Sequence, residues 1–263
     1  MQPKRLHGSD LIRLVKESLL QVSCKVDMEA LGHIKAIKQR KQGKRFLLAE
    51  HVEGLVFALL SNQRSWKGIS ENEDKIKDIF FGFDPHKIVA REGQYFAQSL
   101  LAIQCGNRAI HKQMDVLKHN IEVLQAVDRE EESLDAFVSS GSPDSVVAKF
   151  TEEGPYRLKQ VGIALGLEYL RNVGIDAIKP DVHIRRILGK SRLSFSKSDP
   201  ASVEEASVNM KQIATEAGLS LAEVDSWLWL LCAKGYGDIC GETPRCQLCK
   251  LKEACAYPCR AVS

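Results

Sequence analysis

The chain has 263 residues, 44% of them apolar and 27% charged, with a formal net charge of +3. That length holds one large domain or two lobes with ample core. No apolar run approaches the roughly 18–20 residues needed to cross a bilayer. The start, Met1 to Asp10, has no apolar signal segment, so an intracellular protein with no membrane partner is expected.

The apolar period is helical nearly throughout. Leu11, Leu14, Val15 and Leu19 share one face behind Ser9 as a possible N-cap. Leu55, Val56, Leu59 and Leu60 mark a helix ending near Ser61. Ile110, Met114, Leu117, Ile121 and Leu124 recur as one apolar stripe. Residues 128–145 are the most loop-like stretch and join helices within one lobe. Ser142 followed by Pro143 reads as an N-cap with a first-turn proline. Ser198, Asp199, Pro200 and Ala201 open a helix that runs to about Gly218, and Ser220 caps the next, which carries Trp227, Leu228, Leu230 and Leu231. Sustained strand alternation is absent. The sequence predicts an all-α protein of about ten to twelve helices with little or no sheet.

Charge is uneven. Lys35, Lys38, Arg40, Lys41, Lys44 and Arg45 form one basic stretch, and Lys179, Arg185, Arg186, Lys190 and Arg192 form another. Such patches suit a polyanionic partner or, equally, solvated helix faces. Of eight cysteines, five fall in the last 24 residues. Cys240, Cys246, Cys249 and Cys255 follow a C-x5-C-x2-C-x5-C pattern. Four thiolates so spaced suit an iron–sulfur cluster or a structural zinc ion, and fit a reducing interior better than a disulfide framework. Cys24, Cys105 and Cys232 read as buried thiols.

Four segments fall in a suggestive order: Ala58 to Lys67 at a helix end, the turn Leu158 to Ile163, the stretch Ile178 to Leu188 about twenty residues on, and the cysteine loop. From about residue 45 to 257 this order resembles the helix-hairpin-helix DNA glycosylases, specifically the endonuclease III branch with an iron–sulfur loop. The resemblance implies two helical lobes, one from residues 45–175 and one from 1–44 together with 176–263, with a cleft between them. It implies a monomer acting on double-stranded DNA: a base-excision glycosylase that hydrolyses the N-glycosidic bond of a damaged or mismatched base flipped from the duplex.

Residue by residue, Asp181 after Lys179 and Pro180 matches the family's catalytic aspartate. A fixed anion there stabilises positive charge on the sugar and orients or deprotonates the attacking water. Asp181 is also a good helix N-cap, and the two roles are compatible. Gln160, Val161 and Gly162 match the hairpin whose N–H groups hold a DNA phosphate; Lys159 and Gln160 stand where the family usually has Pro and Gly. An ordinary helix–turn–helix core element is the plainer reading of the turn. Gln63, with Arg64 beside it, matches the residue that fills the gap left by the flipped nucleotide; a polar helix end is the plainer reading. Lys179 is a phosphate contact or a solvated side chain.

Two departures are informative. Bifunctional members carry a lysine at the position of Ala164, so a monofunctional enzyme is expected. Adenine glycosylases place a glutamate at the position of Ala58, so adenine specificity is not. Non-catalytic DNA binding, or a lyase using another amine, remain as alternatives. For Cys240, Cys246, Cys249 and Cys255 the family implies a [4Fe–4S] cluster, with structural zinc as the alternative; the first interval is one residue shorter than the family's, and Cys259 is near enough to substitute. Arg245, Lys250 and Lys252 are expected to face phosphates.

Overall fold

The computed structural model describes residues 5–62 and 66–257. Among them there are fifteen α-helices and no strand. In chain order they are α1 (Gly8–Gln21), α2 (Gly32–Lys41), α3 (Leu48–Leu60), α4 (Trp66–Ser70), α5 (Glu73–Ile79), α6 (Pro85–Val89), α7 (Gly93–Ala102) and α8 (Ile110–Asp115). There follow α9 (Leu117–Glu130), α10 (Leu134–Ser139), α11 (Pro143–Thr151), α12 (Ile163–Asn172), α13 (Val182–Leu188), α14 (Val203–Ala217) and α15 (Leu221–Cys232). The chain divides into two compact units, one of Met1–Leu31 with Ile178–Ser263 and one of Gly32–Ala177.

The middle unit is built on α3 and α12, with α2 and α11 also against α12. Val52, Leu55, Val56, Ala58, Leu59 and Leu60 are all fully buried, so α3 is apolar nearly all round, as a central helix must be. One polar network crosses this core. His51 Nδ1 lies 2.8 Å from Tyr169 Oη, and His51 Nε2 lies 3.4 Å from Asp135 Oδ1. Arg40 donates from Nε to the Val173 carbonyl at 2.9 Å and from both Nη atoms to the Asp135 carboxylate. Burial alone would raise the Asp135 carboxyl, but hydrogen bonds from His51 and Arg40 outweigh it and hold the group far below its ordinary 3.8.

The terminal unit packs α1 against α14 and α15, and α13 against α15. Leu11, Val15, Ile184, Ile213, Val224, Leu228 and Leu231 meet in its core. Ser202 and Ser220 each close a capping box, with Glu205 and Glu223 respectively. Gly218 ends α14 in the left-handed conformation (φ 63°) that glycine adopts without a Cβ penalty.

Several expectations need correcting. His7, not Ser9, precedes α1, and Ser9 lies inside the helix with its hydroxyl 2.9 Å from His7 Nδ1. The single stripe 110–124 is two helices, α8 and α9, meeting at Val116. The supposed loop 128–145 is largely helical, because α9 runs to Glu130, Ser133 caps α10, and Ser142 caps α11. The helix expected from Ser198 starts at Val203, since Ser202 takes the cap while Ser198 bonds the Glu205 carboxylate. Residues 32–44, grouped by sequence with the termini, lie in the middle unit, where α2 packs on α12.

Candidate active site and cysteine loop

Asp181 sits at the N-cap of α13 in the terminal unit, with extended backbone (φ −78°, ψ −176°). Its Oδ1 accepts from the His183 N–H at 2.8 Å and the Ile184 N–H at 3.1 Å. Both bonds fall on one oxygen; among the described residues Oδ2 accepts none. The segment before it is fixed as well. The Asp181 N–H reaches back to the Lys179 carbonyl at 2.7 Å across buried Pro180, and the Lys179 N–H donates to Asp225 Oδ1 at 3.0 Å from α15. The carboxylate is therefore rigid, half-exposed and has an uncommitted oxygen, a combination that can hold a water or face a developing cation. His183 packs edge-on against Trp229, which packs against Tyr236. Burial lowers the His183 pKa despite the opposing pull of Asp181, so a neutral imidazole stands beside the carboxylate at neutral pH.

The hairpin lies in the middle unit. Leu158 and Val161 are buried anchors, while Lys159, Gln160 and Gly162 are exposed. Gln160 adopts φ 58°, the left-handed conformation that glycine would take at no steric cost, so the chain keeps the turn without the glycine. A clasp from α9 helps hold it: Asn120 Nδ2 donates to the Lys159 carbonyl at 2.9 Å, and Asn120 Oδ1 accepts from the Lys159 N–H at 2.7 Å. Gly162 is the N-cap of α12 and supplies no side chain to its first N–H groups. A Cβ at Gly162 would meet no atom of the chain within 4 Å, so packing does not demand a glycine there. Ala164 occupies the first turn of α12. Ala58 is fully buried in α3. Gln63 and Arg64 lie outside the described residues, as does Cys259.

The cysteine loop folds back over the end of α15, where the Ile239 and Cys240 N–H groups both donate to the Leu231 carbonyl, at 2.8 and 3.1 Å. Cys246 and Cys249 bracket a 3₁₀ turn closed by Cys249 N–H to Cys246 carbonyl at 3.0 Å. Lys250 N–H donates to Ser18 Oγ on α1 at 2.9 Å, and Ala256 N–H to the Arg192 carbonyl at 2.7 Å. Cys240 is buried, and Cys249 and Cys255 pack with it against the same core. Cys246 is half-buried, and none of the four is joined by a disulfide to another described cysteine. Among the described residues no three or more His, Cys, Asp or Glu side chains are gathered as a group able to hold a metal ion. The Cys240 thiol is pulled down, first by a hydrogen bond from buried Cys232 and then by the charges of Arg192 and Arg186. Cys105 and Cys232 are buried as expected, whereas Cys24 is only partly so.

One expected phosphate contact, Arg245, and one member of the second basic stretch, Arg192, turn inward instead. Arg245 donates from Nε to the Asp238 carbonyl at 2.8 Å and from Nη2 to the Gly237 carbonyl, bracing the loop. Arg192 is buried (5% exposed). Lys250 and Lys252 remain exposed.

The fold can be set beside solved structures. The 8-oxoguanine glycosylase/lyase of Methanocaldococcus jannaschii, in complex with a 15mer DNA containing 8-oxoguanine, superposes with a TM-score of 0.56 at 20% identity, covering 84% of this chain and 96% of that one. A second structure of the M. jannaschii 8-oxoguanine DNA glycosylase gives 0.56 at 19% identity over 86% and 96%. The chain shares its fold with these two structures. No family model matches the sequence, and no curated protein does. At this identity the likeness shows the fold alone, and any chemistry has to rest on the residues. No helix among the described residues is long and apolar enough to cross a membrane.

Sequence reasoning missed Asn120, Asp225 and His183. Asn120 alone left a signal: an amide on the same helical face as Leu117, Ile121 and Leu124.

Proposed function

We propose that this protein is a DNA N-glycosylase that flips a damaged or mismatched base from duplex DNA and hydrolyses its N-glycosidic bond. The observation that carries the reading is the Asp181 carboxylate, locked through Oδ1 and open at Oδ2, on a fold shared with a DNA-bound 8-oxoguanine glycosylase/lyase. As the bond breaks, the sugar gains positive charge. A fixed carboxylate stabilises that charge and holds a water on its open oxygen for attack at the anomeric carbon. The hairpin amides around Gly162 and the start of α12 bind a backbone phosphate, which positions the duplex without reading sequence. The open space on the Cβ side of Gly162 leaves room for that approach. Ala164 supplies no amine, so release is by water and the enzyme is monofunctional.

Cys240, Cys246, Cys249 and Cys255 would hold a [4Fe–4S] cluster. The support for this reading is the donor type and spacing of four cysteines on one braced loop. When bound, the cluster would cross-link the loop and so present Lys250 and Lys252 to phosphates.

The test is base release from duplexes carrying 8-oxoguanine, uracil, oxidised pyrimidines, alkylated purines and mismatches, with and without alkali. Wild type should nick one class of duplex only after alkali. Asp181→Asn should lower release by about 10²–10⁴-fold, and since asparagine caps as well as aspartate the fold should survive. Borohydride trapping of a covalent adduct would replace water with an amine such as Lys179. DNA binding with no release from any duplex would make the protein a binding module.

A further inference from the structure

One helix, α15, holds the chain on both sides of Asp181. Asp225 and Trp229 stand four residues apart on it, so they share a helix face. Each holds a residue two positions from Asp181. Before it, the Lys179 N–H donates to Asp225 Oδ1 at 3.0 Å. After it, the His183 ring meets the Trp229 ring edge-on, with centroids 6.3 Å apart and planes at 86°. The chain between these holds has little freedom. Buried Pro180 has a fixed φ and no N–H, and the Asp181 N–H closes back on the Lys179 carbonyl at 2.7 Å. α13 itself packs on α15, with Ile184 in one core with Val224, Leu228 and Leu231. Within this contact Asp225 is 2% exposed. A carboxylate is costly to bury, and the hydrogen bonds it accepts offset that cost. An apolar side chain would fill the same place without the cost, but would leave the Lys179 N–H without this acceptor.

We propose that Asp225 is a positioning residue for base release: through the Lys179 peptide it sets where the Asp181 carboxylate stands against the reacting sugar. This rests on the glycosylase reading given above and extends it to a buried residue on another helix. Asp181 Oδ1 is tied to the N–H groups of His183 and Ile184, so a shift of the segment from Lys179 to Asp181 re-aims the open Oδ2. Stabilising a developing cation and placing a water both depend on that aim, and a misplacement of about 1 Å can cost about 10²-fold in rate. Duplex affinity comes from phosphate contacts such as those proposed at the hairpin, and should not follow. Asp225 therefore acts on the chemical step and not on binding.

Wild type, Asp225→Ala and Asp225→Asn are compared in three measurements. These are the single-turnover rate of base release from the duplex that wild type processes, the Kd for a duplex carrying a tetrahydrofuran abasic-site analogue, and the hydrogen exchange of the Lys179 amide. The alanine variant should release base about 10–100-fold more slowly, with unchanged Kd and a faster-exchanging Lys179 amide. The asparagine variant should recover most of the rate and the amide protection, because its side-chain oxygen accepts the same bond. A folded alanine variant with the wild-type rate would overturn the proposal. An asparagine variant as slow as the alanine one would overturn it too, since the bond to Lys179 would then not be what matters. A loss shared equally between rate and Kd would make Asp225 a general structural residue, with the same result. If the alanine variant does not fold, Asp225→Glu decides, since it keeps the charge and displaces the accepting oxygen by one methylene. Slower release at unchanged Kd then supports the proposal, and the wild-type rate overturns it. Wild type that releases no base from any duplex overturns the glycosylase reading itself, a failure told apart because it shows without any variant.

Discussion

Asn120 offers a sharp test of how the hairpin is held. Replacing it with alanine removes both hydrogen bonds to Lys159, at 2.9 and 2.7 Å, from a side chain with no exposed surface. Two such bonds contribute about 0.5–1.5 kcal/mol each. Lys159 is exposed, so water takes up its freed N–H and carbonyl, and no buried-polar penalty is added. The net loss should therefore be about 1–3 kcal/mol in urea unfolding followed by circular dichroism. The Lys159 amide should exchange faster with solvent, and DNA affinity should fall several-fold as the amides lose their common orientation. Lys159→Ala is the control, since it keeps both backbone bonds and should change stability by less than about 0.5 kcal/mol. If Asn120→Ala unfolds at the wild-type midpoint with unchanged DNA affinity, the clasp contributes nothing and the reasoning fails.

Other expectations follow from single residues. Ala164→Lys places an amine in the first turn of α12 and should create a borohydride-trappable DNA adduct absent from wild type; a lysine that traps nothing would show that Ala164 is not at the reacting sugar. The Asp135 carboxyl is depressed in the folded state, so its contribution to stability is fully present above its ordinary 3.8 and is lost as pH falls from there toward the folded value. The fall in urea midpoint from about pH 7 to about pH 3 should be larger in wild type than in Asp135→Asn, and equal falls would refute the coupling.

The helices were legible in the sequence because their signals are local. Ser142 with Pro143, Ser220 with Glu223, and Gly218 act within one turn, and the structure places each at a helix end. Where two local signals compete, the sequence misleads. Ser198 and Ser202 both bond Glu205, and only the folded chain shows which of them caps α14. Asp181 was legible as both a cap and a candidate catalyst because its motif is contiguous, and the four cysteines because their spacing is.

Charge gave no such guidance. Arg40, Arg192 and Arg245 read as parts of solvated or phosphate-facing sets, yet each turns inward: to Asp135 and Val173, to the cysteine loop, and to the carbonyls of Gly237 and Asp238. The sequence by itself determined an all-helical chain, the caps at Ser142, Asp181 and Ser220, the hairpin glycine and the alanine at position 164, since these depend on residue identity within a few positions. Only the tertiary structure decided that Asn120 holds a turn 39 residues away, that Asp225 fixes the approach to Asp181, and that Arg192 is buried with Nε and Nη1 unsatisfied among the described residues. Burial and long-range pairing are properties of where the helices pack, and no local pattern encodes them.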